Sequence, residues 1–207
     1  MAFAHLHVHT QYSFLDGALR IKDLVSAAKD SGMTAVAMTD RGNMYGAVEF
    51  QKAAQKAGIK PIFGCEVFVV NDRTDPGEKR YTSLVLLAEN DTGYKNLIAA
   101  VSHGWLEGWH HDTPRVDAAL LEKYKDGIIA MSGGLGGAIS QSLLRQEPQK
   151  AVDTAKQWLE IFGQDHFFLQ VEELGFKENR QINEAIIGLG KELGIRCTAT
   201  NYCHYLT

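Results

Sequence analysis

Cysteine is scarce and unpatterned in this chain. Cys65, Cys197 and Cys203 make an odd set of three with no C-x-x-C spacing. That excludes a disulfide-stapled scaffold and fits a reducing, cytoplasmic setting. No long apolar stretch occurs, and the first residues lack the basic start and apolar run of a secretory leader. Neither a membrane span nor a signal peptide is therefore expected. Positive charge is not in surplus either: the formal net charge of −4 provides no general pull toward nucleic acid. Contact with DNA would have to come from a local patch or a neighbouring domain. Also missing are a G-x-G-x-x-G after the first expected strand and a G-x-x-x-x-G-K-[ST], which weakens dinucleotide and P-loop readings. No repeat or low-complexity tract interrupts the 207 residues, and 45% hydrophobic with 22% charged residues suits one soluble globular domain over residues 1–207.

What is present alternates strand with helix. Residues 3–9 read as a first strand, and 21–32 as a helix with Ile21, Leu24, Val25 and Ala28 on one face, ended by Gly32. An apolar strand at 34–39 precedes a stripe of Phe50, Ala53, Ala54 and Ala57 closed by Gly58. Strands at 60–70 and 82–88 are joined by a turn-rich, mixed-charge excursion, Asn71 to Arg80, that suits a solvated hairpin tip. Asp91 reads as the cap of a long helix that buries Tyr94, Leu97, Ile98 and Val101. Further helices are expected near 117–125, 136–145, 148–162 and 179–193, with strands at 127–131, 167–171 and from Arg196. Apolar strands alternating with amphipathic helices imply a parallel sheet covered by helices. Polar residues gather at the expected strand C-terminal ends (His7, His9, Asp40, Glu66, Ser132 to Gly134, Asn201 to His204), where α/β barrels and open sheets place their sites. A barrel is the preferred architecture.

The chemistry-bearing stretch is Phe3-Ala-His-Leu-His-Val-His-Thr, continuing to Asp16. In a strand, His5, His7 and His9 would project to one side, and a row of imidazoles with a nearby carboxylate suits a metal. The alternative is a histidine-bearing edge strand that coordinates nothing. Glu66 interrupts an otherwise apolar strand. A carboxylate buried there needs a metal or a cation such as an arginine, since leaving it unpaired costs on the order of several kcal/mol. Asp40 suits a turn or helix-capping carboxylate. His103, His110 and His111 lie in a segment with two tryptophans that reads as a packed turn rather than a second metal cluster. Cys203 is expected to face the helix layer, and His5 to lie below the metal ligands.

Several blocks carry a family resemblance: His5-Leu-His-Val-His-Thr, Leu15-Asp-Gly-Ala, Thr39-Asp-Arg-Gly-Asn-Met-Tyr-Gly-Ala-Val-Glu-Phe, Gly58-Ile-Lys-Pro-Ile-Phe-Gly-Cys-Glu and Ala199-Thr-Asn-Tyr-Cys-His-Tyr-Leu. From Phe3 to Leu206 the chain resembles the amino-terminal PHP (polymerase and histidinol phosphatase) domain of bacterial DNA polymerase III α subunits. The resemblance implies a distorted (βα)7 TIM-like barrel with up to three metal ions at the strand C-terminal ends. Of nine ligand positions in the family pattern, His7, His9, Asp16, Glu66 and His204 match. Arg41 stands where a metal-binding member has histidine, Ser83 replaces a histidine, Gly134 a cysteine and Tyr202 an aspartate. By that pattern His7, His9 and Glu66 keep one metal. The second metal, which needs positions 83 and 134, is lost. At the third, Arg41 would repel a cation and could pair with Asp16 or Glu66 in its place.

The resemblance thus implies at most one or two divalent metals (zinc, manganese or magnesium) at a degenerate site, or none. The implied role is a structural and exonuclease-docking module within a replicative polymerase. Its partners would be the rest of the α chain, the proofreading exonuclease subunit and, through the parent, DNA. Residues 1–207 carry no palm, fingers or thumb, so polymerisation is not expected of them alone. The alternative is a metal-dependent phosphoesterase or 3′–5′ exonuclease working with fewer metals. A free-standing histidinol-phosphatase-like enzyme fits the polymerase-type blocks less well.

Overall fold

The computed structural model describes residues 3–206; the ends of the expected domain span, Met1, Ala2 and Thr207, lie outside the described residues. In chain order the elements are α1 (Ile21–Asp30), β1 (Ala35–Met38), α2 (Ala47–Ala57), β2 (Lys60–Val69), β3 (Thr82–Ala88), α3 (Asp91–Glu107), β4 (Trp109–His110), β5 (Thr113–Val116), α4 (Ala118–Lys123), β6 (Ile128–Met131), α5 (Ala138–Leu144), α6 (Pro148–Phe162), β7 (Phe167–Val171), α7 (Lys177–Leu193) and β8 (Arg196–Ala199). Among the described residues no helix is long and apolar enough to cross a membrane.

The sheet runs β2-β3-β6-β7-β8, with β1 parallel to the first half of β2 and β5 parallel to its end. Residues 5–10 complete the circle. On one side Ala37 N donates to His5 O and Thr39 N to Val8 O, both at 2.9 Å; on the other His9 N donates to Cys203 O at 2.8 Å and Cys203 N to His7 O at 3.1 Å. The result is the expected distorted barrel, with the 5–10 segment as one stave beside β1, β2, β3, β6, β7 and β8.

Inside, apolar side chains fill the lower half: Ala37, Val85, Leu87 and Met131, joined by Leu6, Ile62, Ile129 and Phe168. Because strand side chains alternate, residues two and four further along the upward strands project into the upper half. That is how Glu66 on β2 and Gln170 on β7 come to face a common space. Outside, α1 and α2 bury Ile21, Leu24, Val25, Ala47, Phe50 and Ala54 with Val36 and Met38, while the remaining helices cover the largest cluster over β2, β3, β6 and β7.

Five expectations need correction. The sheet is not wholly parallel: β3 pairs antiparallel with both β2 and β6. The connection between β2 and β3 is made of turns and holds no helix, the element that normally carries a parallel crossover. The 3–9 segment is no regular strand. It bends at His7, so His5 turns outward toward Phe3 and Cys203 and does not lie beneath the site. The long helix is capped by Asn90, whose side chain accepts from Gly93 N at 3.0 Å, and Asp91 is its first residue. Finally, α3 buries Gly93, Leu97, Ala100 and Gly104, leaving Ile98 exposed. Large apolar residues misled here because this helix packs through small ones. A Cβ on Gly93 would stand 1.8 Å from the carbonyl oxygen of Gly127. The segment carrying His103, His110 and His111, expected as a packed turn, instead comprises the end of α3 and the first strand and tip of a short β4–β5 hairpin.

Candidate metal centre

The upper barrel gathers His7, His9 and Glu66, all buried, with one ligand atom from each within 4.8 Å of the others. His7 Nε2 lies 2.8 Å and His9 Nε2 3.2 Å from the same oxygen, Glu66 Oε2. The other oxygen, Oε1, accepts from Ser83 Oγ at 2.7 Å and lies 3.4 Å from Arg41 Nε. Burial works against a charged Glu66, but the hydrogen bond from His7 outweighs it and holds the carboxyl well below its ordinary range. Burial likewise opposes protonation of His7, yet Glu172 and Glu66 raise it; for His9, burial prevails and lowers it.

The tautomer of His9 follows from its neighbours. Ser13 Oγ donates to Asp40 Oδ1 at 2.6 Å and accepts from Arg41 N at 3.1 Å. Its one proton is spent on the carboxylate, so the contact with His9 Nδ1 at 3.0 Å is donated by the ring. The Nε2 of His9 then carries a lone pair, buried, without a hydrogen-bond partner and aimed at a carboxylate oxygen. A lone pair facing an anion in a buried site asks for a cation between them. Two imidazoles and a carboxylate, one ring oriented by a second hydrogen bond, form a donor set that suits zinc or a similar divalent ion. The residues fit one metal.

Asp40 takes the structural part expected for it. Completely buried, it accepts from Thr10 N at 2.6 Å, Thr10 Oγ1 at 2.7 Å and Ser13, and so fixes the 10–17 loop.

The other positions surround this cluster. Arg41 reaches Asp16 and Glu66 together, and their negative charges, led by Glu66, outweigh its partial burial to push its pKa up. His204 stacks on His9 with ring centroids 4.5 Å apart, bonds through Nδ1 to the backbone oxygen of Asp16 and leaves Nε2 buried without a partner. Tyr202 packs edge-on against His7, His9 and His204. A Cβ on Gly134 would fall 2.4 Å from Glu172 Oε1, so this carboxylate fills the space that a side chain at 134 would need.

Sequence reasoning passed over Gln170, Glu172 and Thr200, all buried. Gln170 Nε2 lies 3.2 Å from His7 Nδ1, and Glu172 Oε1 lies 3.8 Å from the same nitrogen. The signal that could have found Gln170 and Glu172 is a pair of polar residues two apart at the C-terminal end of an apolar strand, here β7; Thr200, just past β8, offers only a lone hydroxyl. Ser13 left no comparable signal.

An exposed aromatic file runs along the rim. Phe14, Tyr45 and Trp105 follow one another at 6.4 Å, and Trp105 stacks on Trp109 at 4.7 Å. Leu15, Val48 and Leu106 beside it are also exposed.

Similarity to known proteins agrees with this geometry. The PHP domain family model matches residues 5–173. The DNA polymerase III subunit alpha of Treponema pallidum is 41% identical over 210 residues, covering 99% of this chain and 18% of the relative. That of Deinococcus radiodurans is 42% identical over 216 residues, covering 99% and 16%. The chain therefore spans less than a fifth of the length of these curated relatives. In fold it is similar to a Bifidobacterium adolescentis protein assigned as a metal-dependent phosphoesterase, with a TM-score of 0.59 and 13% identity over 98% of this chain and 87% of that one. A two-domain protein from Bacteroides vulgatus containing a PHP-like domain gives a TM-score of 0.54 at 12% identity, over 97% of this chain and 51% of that one. A buried histidine–carboxylate cluster at the upper end of a seven-stave barrel, on a sequence that matches the family model for most of its length, leads to one assignment: the chain belongs to the PHP domain family.

Proposed function

We propose that the chain is the single PHP domain of a DNA polymerase III α subunit, a cytoplasmic DNA-directed DNA polymerase that it supports structurally and joins to the proofreading exonuclease subunit. The observation that carries this reading is the Arg41 guanidinium set against Asp16 and Glu66. A fixed cation there neutralises the carboxylates that would otherwise recruit further metals. Support for docking comes from the exposed file of Phe14, Tyr45, Trp105 and Trp109, since contiguous apolar surface of this kind marks interaction sites. DNA is met through the parent polymerase rather than by this acidic domain.

Plasma mass spectrometry on protein purified without chelator tests the metal part. At most one equivalent of zinc, manganese or iron is expected, lost in His9→Ala; two or more would refute the eroded site. In the parent polymerase, His7→Ala with His9→Ala should leave primer extension largely intact, and severe loss would count against a supporting role. For docking, Leu106→Ala with Trp109→Ala should weaken binding of the exonuclease subunit.

A second reading is favoured by the unpartnered His9 Nε2: a phosphoesterase working with one ion. Such an ion supplies hydroxide near neutral pH and polarises the phosphoryl group. The chain's part would be to hold it with His7, His9 and Glu66. Metal-stimulated release of nucleotides or phosphate, abolished by His9→Ala or Glu66→Ala, would establish that reading over the scaffold.

A further inference from the structure

The hydrogen bonds around Gln170 fix its amide from several sides. Its Oε1 accepts from Gly133 N, and its Nε2 donates to Thr200 Oγ1 at 3.0 Å. Thr200 Oγ1 in turn lies 3.3 Å from Glu172 Oε1, which can only accept, so the hydroxyl proton points to Glu172. Rotating the amide by half a turn would set the Gly133 N–H against an NH2 group. Gln170 therefore presents a donor to His7 Nδ1, at 3.2 Å, and in the neutral ring that nitrogen is the acceptor. The His7 proton then sits on Nε2, where Glu66 Oε2 receives it at 2.8 Å.

A metal at the centre needs the Nε2 lone pair. The ring proton must then sit on Nδ1, where Gln170 offers a second donor and no acceptor. The nearest acceptor is Glu172 Oε1, 3.8 Å away and buried. Gly134 leaves the space this carboxylate occupies, since any Cβ there would overlap it.

We propose that Glu172 is the positioning residue of the metal centre: when a divalent cation binds His7 Nε2, the imidazole changes hydrogen-bond partner at Nδ1 from the Gln170 amide to the Glu172 carboxylate. This rests on the reading of His7, His9 and Glu66 as metal ligands. Outer carboxylates that receive the second N–H of a ligating histidine hold the ring in place, and losing one costs about 10–100-fold in metal affinity. Gln170 opposes binding until that exchange is made, and Glu172 makes the exchange available.

The test uses the 207-residue chain and zinc alone, with affinity from competition against a chromophoric chelator. Long-range 15N spectra read the tautomer of the His7 ring. In the wild type the proton should move from Nε2 to Nδ1 as zinc is added. Glu172→Met, close in volume but without an acceptor, should bind zinc about 10–100-fold more weakly. Adding Gln170→Glu to that variant restores the net charge and sets a carboxylate directly beside Nδ1, so affinity should recover. Equal affinity of Glu172→Met and wild type, no rescue in the double variant, or a proton that stays on Nε2 at zinc saturation would each overturn the proposal. Zinc binding that depends on His9 but shows any of those results removes only the role of Glu172. A wild type that takes up no zinc removes the metal centre and this inference with it.

Discussion

Ser13→Ala tests whether the lone pair of His9 is held in place by the loop beneath it. The hydroxyl joins three groups: it donates to Asp40 Oδ1 and accepts from His9 Nδ1 and Arg41 N. Removing it leaves Asp40 with both its Thr10 donors, so the carboxylate stays satisfied. The His9 ring N–H and the Arg41 backbone N–H lose their acceptor. Ser13 is 1% exposed, so water does not readily replace it. An orphaned buried donor costs about 1–3 kcal/mol, and two give a loss of about 2–6 kcal/mol. For a chain this long that lowers the melting midpoint by roughly 5–15 °C. Differential scanning calorimetry in chelator reads this term without metal. In parallel the ring, released at Nδ1, should bind zinc at least about tenfold more weakly. Ser13→Thr, which keeps the hydroxyl, should recover the zinc affinity while paying for a methyl group in a packed space. A Ser13→Ala protein with wild-type zinc affinity and a midpoint shifted by less than a degree or two would refute the hydrogen-bond assignment and the tautomer drawn from it.

Gly93→Ala should be among the most damaging single-methyl changes, above the ~1–3 kcal/mol usual for overpacking, because the new carbon would meet the Gly127 backbone rather than a movable side chain; urea midpoints measure it. At the surface, the hydrogen bond from Arg73, with help from His103, holds the Glu107 carboxyl below its ordinary value of 4.5. A depressed carboxyl stabilises the fold above its unfolded value and stops doing so as pH falls through the folded one. The melting gap between wild type and Glu107→Gln should therefore be widest near neutral pH and close below about pH 4.5. Burial pushes the Cys65 thiol up, and it is wholly buried, whereas Cys197 is exposed. A native chain treated with Ellman's reagent should label Cys197 promptly and Cys65 only after unfolding.

Much of this architecture is legible in the residues because it rests on short-range periodicity. The stripe Ile21, Leu24, Val25 and Ala28 is the buried face of α1, and Gly58 ends α2 in the left-handed conformation that glycine accepts. The direction of β3 is another matter. Nothing in Thr82 to Ala88 says which way the strand runs, since antiparallel and parallel partners impose the same alternation on a strand buried on both faces. The site divides in the same way. His7, His9 and Glu66 announce themselves by charge in apolar surroundings, but the bend at His7 breaks the alternation that would have included His5. Ser13 and Thr200 act through contacts with residues 4 to 30 positions away, and a lone hydroxyl leaves no pattern. Glu172 lies one residue past β7, where its neighbour Glu173 is exposed and a solvated acidic pair is the obvious reading.

The reversed strand also sets the electrical character of the barrel mouth. Because β3 descends from Thr82 to Ala88, α3 begins at the lower end, near Asn90, and climbs to the upper rim, where Trp105 Nε1 donates to Gly42 O at 2.7 Å. By contrast α1, α2 and α7 each follow an ascending stave and start at the rim. Helix ends carry roughly half a unit charge, positive at the first turn and negative at the last. These walls of the mouth thus lend positive potential, while the last turn of α3 lends negative potential, the charge of Glu107 there being offset by its partner Arg73. The helix ends therefore polarise the opening across its width, with the negative end on the same wall that carries the exposed tryptophans.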